Sequence, residues 1–353
     1  MSVRYIDGFE DYATADIFAG NWNYRLGSAA AITIAASGRN AGSCLSCDHV
    51  VGDPAALCKV LDDQATWVIG FALNFDAGTI IRGAIITLQD AGIHQVSLYH
   101  NTDNTLSVTR GGSAVTGGTS VSALSLNTWY YIEFKVTIAD SIGAGTCKVN
   151  VNGVTWITVA TGQDLKATAN ATANSVVFGT TVGSVFLSRT VLIDDIYILD
   201  GTAGVVAGDN DFLGDVRVDS LLPTADGTTN SWTPSAGDNY AAVDEAAPDG
   251  DTTYVSSGTV NQIDTYAMGD LGTTPEKIWA VQTGFVARKE DAGVRTVAPV
   301  LRGTDGDKFG TARGVGLDYA AYHEVHEQNP LDTPEDWTET TVNSIEIGVK
   351  LIA

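Results

Sequence analysis

The sequence lacks any apolar run long enough to cross a bilayer. Its longest apolar stretches, such as WVIGFALNF (67–75), fall far short of the roughly 20 residues a membrane helix needs. Membrane insertion is therefore not expected. Long stretches with apolar residues every three or four positions are also missing, which predicts little helix. Cations are scarce: 19 Lys and Arg stand against 42 Asp and Glu, a net charge of −23. Such a surface repels phosphate backbones, so nucleic acid is not an expected partner. The opening MSVRYIDGFEDY has no basic stretch followed by an apolar one, so no secretory signal is expected there.

Cysteine is sparse as well. Cys44, Cys47, Cys58 and Cys147 are too few for a disulfide framework in a chain of 353 residues. Cys44 and Cys47 form a C-x-x-C, but no second close pair exists to complete a zinc site. Cys147 alternates with Val149 and Val151 and reads as a small buried apolar residue.

The motifs of common catalysis are missing too. No G-x-S-x-G marks a serine nucleophile. His323 and His326 flank Glu324 at a spacing of three, whereas a zincin helix needs histidines four apart. The remaining histidines, His49, His94 and His100, fall in no such pattern. Asp194 and Asp195 are adjacent within the alternating run VLIDDIYIL. Neighbours on a strand point to opposite faces, so this pair is expected to diverge, one aspartate on each face, near the strand's start or a bulge. These failures predict a chain that is not an enzyme and carries no cofactor.

What is present is glycine, 38 residues of it, with Thr, Val, Ile and Ala throughout. That mixture makes short strands and tight turns. Runs such as TWVIGFALNF (66–75), TIIRGAIITL (79–88), HQVSLYH (94–100), TWYYIEFKVTI (128–138), TCKVNV (146–151), NSVVFGT (174–180) and SVFLSRTVLIDDIYIL (184–199) read as strands. RGGSAVTGGTS (110–120) reads as a turn-rich separator. In TWYYIEFKVTI one face carries Tyr130, Ile132, Phe134, Val136 and Ile138, and the other Glu133, Lys135 and Thr137. Asn152-Gly153 between two alternating runs predicts a two-residue hairpin, whose turn needs positive φ at both positions.

The stretch NTWYYIEFKV…GTCKVNVNGV resembles the central strands of the concanavalin A-like (laminin-G/pentraxin-type) jelly roll. The opening IDGFEDYA…NWNY and the closing VLIDDIYILDGT are similar to its first and last strands, which are neighbours. The resemblance covers about residues 1–200. It implies an antiparallel β-sandwich over 1–204. A smaller, acidic, β-rich docking or oligomerisation domain is expected to follow over 205–353, so the fold is expected to be all-β throughout. The Gly-rich GTAGVVAGDNDFLGD (201–215) reads as the connection. In the second part KIWAVQTGFVARKE (277–290) and VRTVAPVLRG (294–303) read as paired strands, and SIEIGVKLIA as a half-buried closing strand. ARGVGLDYAAYHEVHEQ (312–328) suits either strand or short helix.

DFLGDVRVDSLLPTADGTTNSWTPSAGDNYAAVDE (211–245) and TPEDWTETTVNSIEIGVKL (333–351) resemble a module of tailed-phage virion proteins. This implies a non-enzymatic structural component of the virion, on the capsid exterior as decoration or on the tail, baseplate or fibre. Its partners would be other virion proteins and further copies of itself. Concanavalin-like hydrolases carry E-x-D-x-x-E on one strand, and this chain does not. The alternative is a glycan-binding adhesin of the same fold, reading a host-surface glycan. Trp129, Tyr131 and Trp156 are the candidate glycan or interface aromatics, since sugar sites pair rings with polar groups. Calcium is the one ion the Asp-rich turns suggest. Asp209, Asp211, Asp305 and Asp307 are its candidate ligands, although none lies in a complete EF-hand pattern.

Overall fold

The computed structural model describes residues 2–50, 53–77, 82–140, 142, 145–180, 188–304, 306–331 and 335–353. The chain divides into two compact units, Met1–Phe9 with Trp22–Val218 and Glu10–Asn21 with Asp219–Ala353. Residues 205–218, expected in the second domain, fall in the first unit. The fold is nearly all β and its strand pairings are antiparallel, as the sequence predicts. Among the described residues no helix is long and apolar enough to cross a membrane.

The first unit is a β-sandwich. One sheet holds β1 (Val3–Asp7), β3 (Ile32–Ala35), β4 (Cys44–Val50), β6 (Thr66–Phe75), β11 (Tyr130–Thr137), β12 (Gly145–Val151), β13 (Val154–Gln163) and β15 (Ser188–Leu199). The other holds β2 (Tyr24–Leu26), β5 (Ala55–Gln64), β7 (Gly83–Asp90), β8 (Ile93–His100), β9 (Thr105–Arg110), β10 (Ser113–Ala123) and β14 (Ala173–Thr180). The first sheet runs β13-β12-β11-β6-β15-β4-β3 and the second β10-β9-β8-β7-β14-β5-β2. β15, the last strand of the first unit, lies inside the first sheet. One edge pairs with β6, while the other is shared by β4 along 188–193 and β1 along 196–199. Its N-terminal partner is Val3–Asp7, just ahead of the GFEDY segment that the sequence suggests.

Register fixes which face is buried. Ile132, Phe134 and Val136 stand opposite Phe71, Ile69 and Trp67. Phe71 meets Phe178 of the second sheet edge to face at 5.5 Å, so this set faces inward. All seven side chains are buried. Each large apolar side chain removed from water contributes about 1.5–3 kcal/mol, which is why the alternation dictates the sandwich. The Asn152-Gly153 turn forms as predicted, with φ of 49° and 73° and Val151 facing Val154.

Some strands form beyond those the sequence pattern predicts. Cys44–Val50 and Ala55–Gln64 are strands, and the segment read as a turn-rich separator forms β10. β10 tolerates its glycines because it is an edge strand whose register slips between Ala114 and Thr119.

In the second unit the central sheet is built from Pro223–Asn230, Ile263–Met268, Glu346–Leu351, Thr296–Gly303 and Gly306–Phe309. The C-terminal strand is central, flanked by Ile263–Met268 and Thr296–Gly303. The expected pairing of the 277–290 and 294–303 segments does not form. Val297, Ala298, Val300 and Leu301 are buried, and their strand takes the C-terminal strand as its long partner. Val281–Ala287 is less buried and pairs with Ala320–His326 in a separate ribbon, which resolves the 312–328 ambiguity in favour of strand. Residues 10–21 join this unit. Gly20, at φ 123°, packs so closely on Ala321 that a Cβ would stand 2.3 Å from its carbonyl oxygen.

Candidate functional site

A polar constellation lies on the outer face of the first sheet. Glu133 and Tyr197 stand opposite Gly70 from either side, on the face away from the core. Tyr197 Oη donates to Glu133 Oε1 at 2.7 Å, and both residues are buried. Tyr131, two residues before Glu133 and on the same face, stacks on Tyr197 with centroids 6.4 Å apart. Its hydroxyl donates to the Asp195 carbonyl. Burial pushes the phenols of Tyr131 and Tyr197 well above the usual tyrosine range, and neighbouring acidic groups add to the rise. Arg39, from the loop between β3 and β4, lies over the Tyr131 ring at 5.2 Å.

Asp194 and Asp195 join this face through a β-bulge. Asp194 stands opposite Ala72 and Tyr197 opposite Gly70, so two residues of β15 match one of β6. Asp195 is the displaced residue, at φ 50°, a conformation that Asp tolerates better than most side chains. The bulge shifts the phase of the strand. Leu192 and Asp194 face outward before it, and Tyr197 and Leu199 after it. The expected divergence of the two aspartates is therefore corrected, because both carboxylates reach Arg39. Asp194 Oδ2 accepts the Arg39 backbone N–H at 2.8 Å, and Asp195 Oδ2 lies 3.4 Å from the guanidinium. Asp194 Oδ1 also accepts the Asp195 N–H. Burial, reinforced by the charge of Asp195, raises the Asp194 carboxyl to about 7.

Residues 209–218 lie across this face. Leu213 N–H donates to Tyr197 Oη (3.2 Å), Gly214 N–H to Glu133 Oε1 (2.8 Å) and Val218 N–H to Asp195 Oδ1 (2.8 Å). Asp211 pairs with Lys135 at 3.1 Å and Asp215 with Arg39.

The candidate aromatics separate. Tyr131 is buried, whereas Trp129 and Trp156 are half-buried. Trp129 shares the parity of Tyr131, and Trp156 sits where the β12–β13 register slips beside Asn150.

The candidate ion ligands do not converge. Asp209 accepts the backbone N–H groups of Gly204 and Val206, Asp211 is taken by Lys135, and Asp307 lies in the other unit. The Arg302 guanidinium bonds Asp307 and holds its carboxyl below the usual range. Asp305 lies outside the described residues. Among the described residues no three His, Cys, Asp or Glu side chains cluster as metal ligands. His323 donates to Asn21 Oδ1 at 2.6 Å and His326 pairs with Thr283, so the two point apart, as their spacing on a strand requires.

The four cysteines are buried thiols. Cys44 and Cys47 lie three apart on β4, hence on opposite faces. Burial pushes the thiols of Cys47, Cys58 and Cys147 up, away from the reactive thiolate. A thiol reagent is therefore expected to label none of the four in the folded protein over minutes and all four after unfolding. Rapid labelling of the folded protein would contradict the burial.

No protein-family model matches the chain, and no curated protein matches it. Solved structures do. The alginate lyase Aly36B is 11% identical, covering 55% of this chain and 95% of its own, with a TM-score of 0.43. A sialidase is 14% identical over 56% of this chain and 18% of its own, with a TM-score of 0.42. The cellulose-induced protein Cip1 is 15% identical over 50% of this chain and 88% of its own, with a TM-score of 0.36. These matches correct the expectation that the chain is not an enzyme. Lyases and a sialidase are among the proteins its structure resembles. The likeness is one of fold alone and assigns no reaction here. It bears in no way on a virion.

Proposed function

We propose that the first unit is a glycan-recognition domain and that its binding face is the outer side of the first sheet. The observation that carries this reading is the convergence of Tyr131, Tyr197, Glu133 and Arg39 on the outer side of one sheet, beneath residues 209–218. A sandwich needs none of them there: an outer sheet face folds as well with small polar residues, and a buried carboxylate costs stability unless it is hydrogen-bonded. A sugar offers an apolar face ringed by hydroxyls. Aromatic rings take the first, and carboxylate or guanidinium groups take the second. Half-buried Trp129, of the same parity as Tyr131, and half-buried Trp156 on β13 are the further aromatics this reading assigns to the site.

The test is a glycan array followed by calorimetry on the full chain. Binding with a dissociation constant in the millimolar range or tighter is expected, with W129A/W156A about tenfold weaker, a loss of about 1.4 kcal/mol. Failure of both the wild type and the D211N/D215N variant described below to bind any glycan class overturns the reading. So does unchanged binding by the tryptophan variant.

A further inference from the structure

We infer that residues 209–218 are a displaceable occupant of this face, and that the ligand they stand in for is an acidic oligosaccharide, a chain of sugars bearing carboxylates. This rests on the glycan reading above. The strap meets the sheet as a polar ligand does. Three of its backbone N–H groups enter side-chain acceptors of the sheet, namely Tyr197, Glu133 and Asp195. Two of its carboxylates, four residues apart, answer two sheet-side cations: Asp211 meets Lys135 and Asp215 meets Arg39. The same cations also donate to strap carbonyls, Lys135 to Asn210 and Arg39 to Val216. A third cation, Lys148, lies over the ring of Phe212. In a chain of net charge −23, this face gathers three cations and covers two of them with the chain's own acids.

The attachment is built to be exchanged. The strap is anchored at Asp209, which is buried, with its carboxylate holding the Gly204 and Val206 N–H groups and its carbonyl accepting from Ser2. From Asn210 to Val218 no residue is fully buried. The clasping carboxylates of Asp211 and Asp215 are 64% and 47% exposed. Ion pairs so exposed contribute little and weaken with salt. Displacing the strap frees Lys135 and Arg39 for carboxylates, and frees Glu133 and the tyrosine hydroxyls for sugar hydroxyls. A neutral sugar satisfies only the second set, so the face selects acidic chains.

The test compares the wild-type full chain with D211N/D215N, which unclasps the strap without touching the sheet. The probes are an oligogalacturonate, a neutral cello-oligosaccharide of equal length and a synthetic peptide of residues 209–218. D211N/D215N is expected to bind the oligogalacturonate at least tenfold more tightly than the wild type, with no gain for the neutral sugar. The gain should vanish at high salt and on adding R39Q and K135Q. Glycan binding by the wild type with no gain in D211N/D215N overturns the strap inference and leaves the glycan reading standing. An equal gain for both sugars overturns the acidic preference. Binding of the peptide alone, with neither sugar bound, points to a protein ligand and overturns both.

Discussion

As pH rises from about 4 to about 7, the first unit is expected to lose on the order of 4 kcal/mol of stability to one carboxyl, that of Asp194. Burial is the main cause, and the neighbouring Asp195 charge is second. Two backbone N–H groups, from Arg39 and Asp195, pull the other way and do not offset them. Because the folded state binds this proton more tightly than the unfolded chain, the stabilisation is complete below about 3.8 and is lost as pH passes about 7. The opposite effect, from carboxyls held low such as Asp307, acts only as pH falls below the usual carboxylate range. D194N removes the ionisation but retains one acceptor for two N–H groups. It should therefore be less stable than wild type at pH 4.5 and should close or reverse that gap by pH 8. Denaturant midpoints of both proteins across this range, with a carboxyl titration of Asp194 by NMR, provide the check. Parallel stability curves, or a titration near 4, would sink the assignment.

The same aspartates mark where local sequence ceases to determine structure. The alternation of VLIDDIYIL correctly signals a strand, and the apolar neighbours on both sides correctly signal burial. Strict alternation also sends Asp194 and Asp195 apart, and that fails because a single inserted residue reverses every side chain after it. A signal was present: two acidic residues in the middle of an apolar run are costly on a regular buried strand, and Asp tolerates the left-handed conformation a bulge supplies. Alternation puts Glu133 on the correct face. Its burial was not legible, because its partners come from β15 and from residues 209–218, which are distant in sequence.

The strap itself shows the limit most plainly. GTAGVVAGDNDFLGD has the composition of a linker, and Asp-Gly-rich turns are ordinary connections. What turns it into part of a site is the set of cations waiting on the sheet, and no local pattern couples Asp211 to Lys135 or Asp215 to Arg39. By contrast the Asn152-Gly153 hairpin, whose determinants are all local, forms as predicted.

Gly70→Ala should destabilise the first unit by roughly 3 kcal/mol, combining overpacking with the loss of a buried, charge-assisted hydrogen bond. A Cβ at Gly70 would stand 2.0 Å from Tyr197 Cε1 and 2.4 Å from Cζ, within the body of a buried ring. The ring must lift, and its hydroxyl then leaves Glu133 Oε1 and the Leu213 N–H together. Amide exchange at Leu213 and Gly214 should quicken in the same variant, because the strap loses its seat. In Gly70→Ala/Tyr197→Ala no ring remains to clash, so the two single losses should sum to more than the loss in the double variant. A Gly70→Ala protein within about 0.5 kcal/mol of wild type would show that the ring yields freely and is not what fixes the strap. In the sequence this glycine looks like a weak point in WVIGFALNF, since glycine inside a strand usually costs stability. Its bare Cα is instead the floor on which Tyr197 lies flat, which lets one ring hold Glu133 on the sheet and Leu213 on the strap at once.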